Sequence, residues 1–270
     1  MDAAVHVSAV SSWTNTFDED LALWEVLGVG HVGLASWKLE PVGALAAARR
    51  AADRGLQVSS VLARGFDLAD RASWPAHHDH LRACVEAARI VGCPTVSLLT
   101  GRNLGRTWAE HVDLFAAATA DARTAAADAS VMLALEHTYP LRADVGFVYT
   151  VRDAVHLARQ LGMHVCVDLN PGWAERGVEE TLAGAVRDGV ISVVQVSDNS
   201  LDTRCTGQRL VPGDGIIPLE RLLASVLRNG YLNAVELEIF GPAIEAEGYA
   251  AAITRGRSAT AKLVARAAEG

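Results

Sequence analysis

No stretch of this 270-residue sequence approaches the run of about 18 apolar residues that a membrane-spanning helix requires, so no span is expected. The opening residues, MDAAVHVSAVSSW, have no basic segment and Asp2 is already acidic, which argues against a secretory signal. The four cysteines (Cys84, Cys93, Cys166 and Cys205) have no CxxC spacing. They are expected to be reduced, mostly buried thiols in a cytoplasmic protein. A surplus of basic charge is also missing. The net charge is −8 and the pI about 5.6, which disfavours a nucleic-acid binder. A small anionic substrate is not excluded by that balance. There is no linker or low-complexity segment, and one domain over residues 1–270 is the economical reading.

Half of the chain is apolar, enough for a large core. The apolar residues fall into short runs separated by amphipathic stretches. Strands are expected at residues 5–10, 31–37, 56–62, 95–100, 131–136, 164–169, 191–196 and 234–239. Helices are expected near 17–27, 41–54, 74–91, 107–127, 146–161, 178–187, 219–229 and 243–268. Gly55, Gly92, Gly162, Gly189 and Gly230 each follow a helical run and precede a strand, where a helix C-cap belongs. This alternation implies a parallel sheet with right-handed crossovers. Eight strand-helix units in this length point to a single (β/α)8 TIM barrel, an α/β fold.

Some local motifs carry less than they promise. Gly28, Gly30 and Gly33 spell GxGxxG, but a helix precedes the motif and a strand follows it. Dinucleotide binding needs the reverse order, so a helix cap and turn are expected here. His77, His78, Asp79 and His80 sit at a helix start and are expected to be solvated, since adjacent helical positions cannot converge on one ion. Trp13, Trp37 and Trp173 fall at or just past strand ends, where they can wall a substrate pocket or cap the core. Arg64 and Arg102 follow strands three and four and can reach an anionic group or lie on the surface. His6 is expected inside strand one.

The chemistry concentrates at four strand ends. The run VMLALE ends in Glu136, HVCVDLNP carries Asp168, ISVVQVSD carries Gln195 and LNAVELEIFGP carries Glu238. A buried strand does not normally end in a carboxylate unless something uses the charge. Three converging carboxylates would repel and take up protons, and a divalent ion resolves this. None of the nine histidines occupies these positions. An all-oxygen set favours a hard ion, Mn²⁺ or Mg²⁺, over Zn²⁺. On strand eight, Glu236 and Glu238 face the same way. Glu238 is nearer the C-terminal end and is the expected ligand, with Glu236 one layer deeper beside a buried base or a hydrogen-bonding partner.

These motifs resemble the sugar-phosphate isomerase/epimerase superfamily, the xylose isomerase-like TIM barrels, over nearly the whole chain. ALEH resembles the family's strand-five Glu motif, CVDLNP its strand-six Asp motif and VVQVSD its strand-seven motif. RLVPGDG resembles its R-x-x-P-G-x-G loop, and ELEIFG its strand-eight Glu followed by an aromatic. The resemblance implies Glu136, Asp168, Gln195 and Glu238 as metal ligands. It implies that Arg209 and the turn from Pro212 to Gly215 line the substrate pocket. Two positions depart from many members. Pro171 stands where they carry His, and Gln195 stands where sugar epimerases often have His. The Gln version with a PGDG loop also resembles dehydratases of the 3-dehydroshikimate type. The DNA-repair branch, with its His-rich multi-zinc site, does not fit this acidic chain.

The expected reaction is isomerisation or epimerisation of a sugar or other polyhydroxy carbonyl compound through an enediolate. A metal-held carbonyl acidifies the adjacent C–H, and Glu136 and Glu238 act as acid and base. His137, directly after Glu136, is a further catalytic candidate, or else packs in a loop. The same first step also serves a lyase, if a β-hydroxyl leaves from a keto-polyol or a 3-keto glycoside. A non-catalytic sugar-binding or partner subunit is the reading from another class. The Ala-rich face of the closing helix can pack on the barrel or on a second copy in a homo-oligomer.

Overall fold

The computed structural model describes residues 4–201 and 207–269. Eight parallel strands close into one barrel in chain order: β1 (Val5–Ser8), β2 (His31–Ala35), β3 (Gln57–Ala63), β4 (Thr95–Leu99), β5 (Met132–Glu136), β6 (His164–Asp168), β7 (Ile191–Val196) and β8 (Val235–Leu237). The ring closes by pairing of β1 with β8, Val5 opposite Val235. The fold is a single TIM barrel, as the alternation of strands and helices implies.

The helices lie between the strands: α1 (Phe17–Leu27), α2 (Ser36–Leu39), α3 (Ala44–Asp53), α4 (Trp74–Val91), α5 (Trp108–Asp128), α6 (Val151–Leu161), α7 (Leu169–Gly172), α8 (Val178–Arg187), α9 (Leu219–Leu227), α10 (Pro242–Glu247) and α11 (Tyr249–Glu269). Their ends follow local chemistry. Thr16 with Glu19 and Thr107 with Glu110 form capping boxes at α1 and α5. Gly92 and Gly162 close α4 and α6 in the left-handed conformation that a Cβ would disfavour.

Several boundaries differ from the sequence-based expectation. The first strand stops at Ser8, and Ala9–Ser12 turns into a 3-10 helix. The second ends at Ala35, and α2 takes up Trp37. The closing helix is two, α10 and α11, because Gly248 separates them at φ 89°. The segment before α6 is a loop up to Thr150, which caps that helix. At the first two strands the apolar run continues past the strand, so hydrophobicity alone does not mark where the backbone turns.

The GxGxxG stretch is a helix cap and turn, as expected: Gly28 caps α1 and β2 follows at His31. Gly33 has a different use. A Cβ there would lie 2.9 Å from Glu236 Oε1, so the missing side chain makes room for a carboxylate inside the barrel. Cys84, Cys93 and Cys166 are buried free thiols, and Cys205 lies outside the described residues. Among the described residues no helix is long and apolar enough to cross a membrane.

Candidate active site

The register of the strands explains how four side chains far apart in sequence meet. Glu136 is level with Cys166, Asp168 with Gln195, and Gln195 with Glu236. Each candidate therefore stays level with its neighbour's candidate or lies two residues beyond that level, and two-residue steps keep side chains on one face of a strand. The stagger of a closed barrel supplies the offset. By the same alternation Ala134, Cys166 and Val193 form a small buried apolar cluster beneath.

Glu136, Asp168 and Glu238 are buried, and their carboxylate oxygens lie within 4.8 Å of one another. Gln195 joins them: its Nε2 donates to Glu238 Oε2 at 2.7 Å. Glu136 Oε2 and Gln195 Oε1 are buried with no partner, and Asp168 Oδ2 meets Arg209 in an ion pair. Buried oxygens are rarely left unpartnered, because the desolvation cost is uncompensated. Two such oxygens, gathered with the Asp168 and Glu238 carboxylates in one cluster, fit a bound cation.

Arg209 enters from the loop after β7. Its Nη2 lies 2.5 Å from Asp168 Oδ2 and its Nη1 3.2 Å from Glu238 Oε1. Its guanidinium also stacks 4.6 Å over the Phe240 ring. One guanidinium offsets one of three carboxylates, and a divalent ion would offset the other two. Burial raises the Glu136 carboxyl well above the ordinary range, with the Glu238 and Asp168 charges adding to the shift. Burial pushes Glu238 up to about 7, against the opposing pull of Arg209.

The sequence reading missed the scaffold that aims Glu238. Ser8 donates to Glu238 Oε2 at 3.1 Å. Ser11 Oγ donates to Leu237 O at 3.0 Å and accepts from Ile239 N at 3.1 Å, so one hydroxyl clamps the backbone on both sides of Glu238. The turn bearing Ser11 is held by Lys38, whose Nζ donates to Ala9 O, Ser12 O and Asp20 Oδ2 at 2.7–2.8 Å. Lys38 and Asp20 are both buried. The available signal was composition: Lys38 is one of only two lysines, and it follows an apolar strand directly.

Asp198, the last residue of the VVQVSD motif, holds the RLVPGDG loop. Its carboxylate accepts from the backbone N–H of Asn199, Gly213 and Ile217 at 2.9–3.0 Å. Paired backbone bonds between Asp198 and Leu210 fix the loop beside Arg209. Glu236 sits deeper and is satisfied by hydroxyls rather than by a base: Ser59 and Ser60 both donate to its Oε1 at 2.6 Å. His6 is buried in the same interior, opposite Glu236.

Above the carboxylates opens a cavity of about 700 Å³, lined by Glu136, Arg209 and Glu238 at its base. Trp13 and Trp37 line it, 5.7 Å apart between ring centroids, and Phe240 stacks on Trp13 at 5.9 Å. Arg64 and Arg102 also line it. Trp173 does not line it; this side chain is half-buried and packs against the main core. His137 does not line it either. Its imidazole is fully buried against the backbone of Gly172, with both ring nitrogens unpartnered. Burial pushes its pKa down to about 4, holding the ring neutral. The strand does end at Glu136, yet His137 keeps the outward direction that alternation gives it. The His77–His80 cluster is less solvated than expected: His78 Nε2 bonds Ala118 O at 2.8 Å, and His77 packs on Phe66 and lines the cavity. The only metal-compatible cluster of His, Cys and carboxylates among the described residues is Glu136, Asp168 and Glu238.

The sequence matches the family model for the xylose isomerase-like TIM barrel over residues 23–259, and the chain belongs to that family. No curated protein sequence matches it. Among solved structures, the IOLI protein with a bound zinc atom aligns over 100% of both chains, with a TM-score of 0.84 and 17% identity. L-ribulose 3-epimerase aligns over 98% of this chain and 95% of its own, with a TM-score of 0.75 and 19% identity. The 3-keto-D-glucoside 4-epimerase of E. coli, in its apo form, aligns over 97% and 98%, with a TM-score of 0.73 and 15% identity. At these identities the likeness speaks to the fold.

Proposed function

We propose that this protein is a divalent-metal-dependent isomerase or epimerase of a polyhydroxy carbonyl compound. The observation that carries the reading is the buried oxygen cluster of Glu136, Asp168, Gln195 and Glu238 at the base of an open cavity, with Glu136 Oε2 and Gln195 Oε1 unpartnered. The epimerases among the similar folds support it. Glu136, Asp168, Gln195 and Glu238 would hold the ion. The all-oxygen set favours Mn²⁺ or Mg²⁺. When bound, such an ion polarises a substrate carbonyl and lowers the pKa of the adjacent C–H.

The chain's own groups supply the rest. Glu136 and Glu238 reach the cavity from opposite sides of the cluster, one taking the proton from carbon and the other returning one. Arg209 faces the cavity beside Glu238 and can steady substrate oxygens with its fork of donors. Trp13, Trp37 and Phe240 offer an apolar wall for the sugar's C–H faces and help to exclude water.

The test is exchange of the substrate's α-hydrogen in D₂O, followed over a panel of ketoses and keto-cyclitols with metal content measured in parallel. Glu238→Gln should lower turnover by roughly 10²- to 10⁴-fold, the usual weight of a general acid or base. Exchange at the parent rate in that variant would sink the proposal. Growth of an enone absorbance would redirect it to the elimination branch.

A further inference from the structure

We propose that the cavity is built for a substrate carrying an anionic group, a phosphate or a carboxylate, on the side formed by the loops after β3, β4 and β5. The proposal rests on the functional reading above only for the carbonyl end of that substrate. Three guanidinium side chains line the cavity from these successive loops: Arg64, Arg102 and Arg142. Trp13, Trp37 and Phe240 come from the loops after β1, β2 and β8. In the closed ring of eight strands the two groups of loops adjoin at β2 and β3 and occupy different arcs of the cavity mouth. One arc is aromatic and the other carries the guanidiniums.

The arginine-bearing arc is preorganised. Gly101 N donates to Val145 O at 3.1 Å and Asn103 N to Ala143 O at 2.8 Å, tying the loop with Arg102 to the loop with Arg142. Gly65, next to Arg64, approaches the Leu99 carbonyl so closely that no Cβ would fit. The present partners of the arginines are displaceable. Arg64 pairs with Glu40, Arg102 with Asp67 and Arg142 with Asp144, at 2.9, 3.4 and 2.9 Å. All six side chains are 36–62% exposed, and exposed pairs of this kind contribute little. Arg209 is different, being committed to Asp168 and Glu238. Glu40, Asp67 and Asp144 balance the three guanidiniums one for one, so an anionic group gains its contacts here by displacing these exposed carboxylates. Guanidinium forks match phosphate and carboxylate oxygens in pairs.

Trp13 and Trp37 give a binding signal that does not depend on turnover. The full-length protein is titrated by tryptophan fluorescence with D-fructose, D-fructose 6-phosphate and 5-keto-D-gluconate at low and high salt. At least one anionic ligand should bind about tenfold tighter than fructose at low salt, with the advantage shrinking as salt screens the charge. The tighter of the two identifies the anionic group. In Arg64→Ala/Arg102→Ala the advantage should fall to within about threefold while fructose binding is retained. Equal affinity for all three ligands in the parent, or an equal loss of all three in the variant, overturns the proposal. The titration is repeated on EDTA-treated protein, where the preference should persist because these arginines do not contact the carboxylate cluster. A charge preference without α-hydrogen exchange refutes the isomerase reading alone, and exchange without the preference refutes this proposal alone.

Discussion

Gln195 and Glu238 are joined by one hydrogen bond of 2.7 Å, from the amide nitrogen of the first to a carboxylate oxygen of the second. That bond orients the amide and leaves Gln195 Oε1 buried and unpartnered. A neutral side chain thereby presents an acceptor to the cluster while steadying an acidic one. Gln195→Leu should remove both effects. Metal affinity, measured by calorimetric titration, is expected to fall by about 10- to 100-fold or more, the usual range for losing an orienting partner of a ligand. Unchanged affinity would remove Gln195 from the ligand set.

Ser11 is the residue whose loss should misplace Glu238 without touching it. Ser11→Ala leaves Leu237 O and Ile239 N without their shared partner. A cost of about 1–3 kcal/mol is expected for orphaned buried groups. For a domain of this size, each kcal/mol lowers the midpoint by about 2–4 °C. Differential scanning calorimetry checks the stability, and metal titration should show weaker binding in the variant.

Lys38 and Asp20 form a buried pair at 2.8 Å. Lys38→Met strands the Asp20 carboxylate and also frees two turn carbonyls, Ala9 O and Ser12 O. Breaking a buried pair from one side costs about 3–5 kcal/mol. Lys38→Met/Asp20→Leu should recover part of that loss, because the stranded charge is gone. Urea unfolding of the two variants reads the difference; a double variant no more stable than the single one would contradict the account.

His6 makes the fold sensitive to acid. Burial lowers its pKa from 6.5 to about 4. The unfolded chain therefore takes up a proton that the folded chain refuses. The stability this contributes is fully present above pH 6.5 and is lost as pH falls towards 4. The shift corresponds to roughly 3 kcal/mol at most, at about 1.4 kcal/mol per pH unit. Denaturant unfolding at pH 7 and pH 4.5 should show a smaller difference between the two conditions in His6→Gln than in the parent.

The legibility of the site was uneven for reasons of chain geometry. Glu136, Asp168 and Glu238 were readable because a charge ending an apolar strand contradicts burial. Gln195 was readable by its place in the series. Trp13 and Trp37 were found because strand ends face the cavity, yet the same argument put Trp173 there, and the short α7 carries it into the core instead. His137 could not be assigned from sequence, since its direction depends on whether the backbone keeps its alternation past the last strand residue. Ser8 and Ser11 gave no signal, because a small hydroxyl suits a turn, a surface or a clamp equally well.

Taken alone, the sequence determined the eight-fold alternation, the acidic strand ends and the capping glycines. These are local properties, set by the two-residue and 3.6-residue periods of strand and helix. Only the tertiary structure decided the rest. Ring closure sets Ser11 against β8 across more than 200 positions of chain. It places Arg209 between Asp168 and Glu238, and it sets an aromatic arc of the cavity mouth beside one that carries arginines. Such pairings depend on barrel stagger and loop packing, which no stretch of sequence expresses by itself.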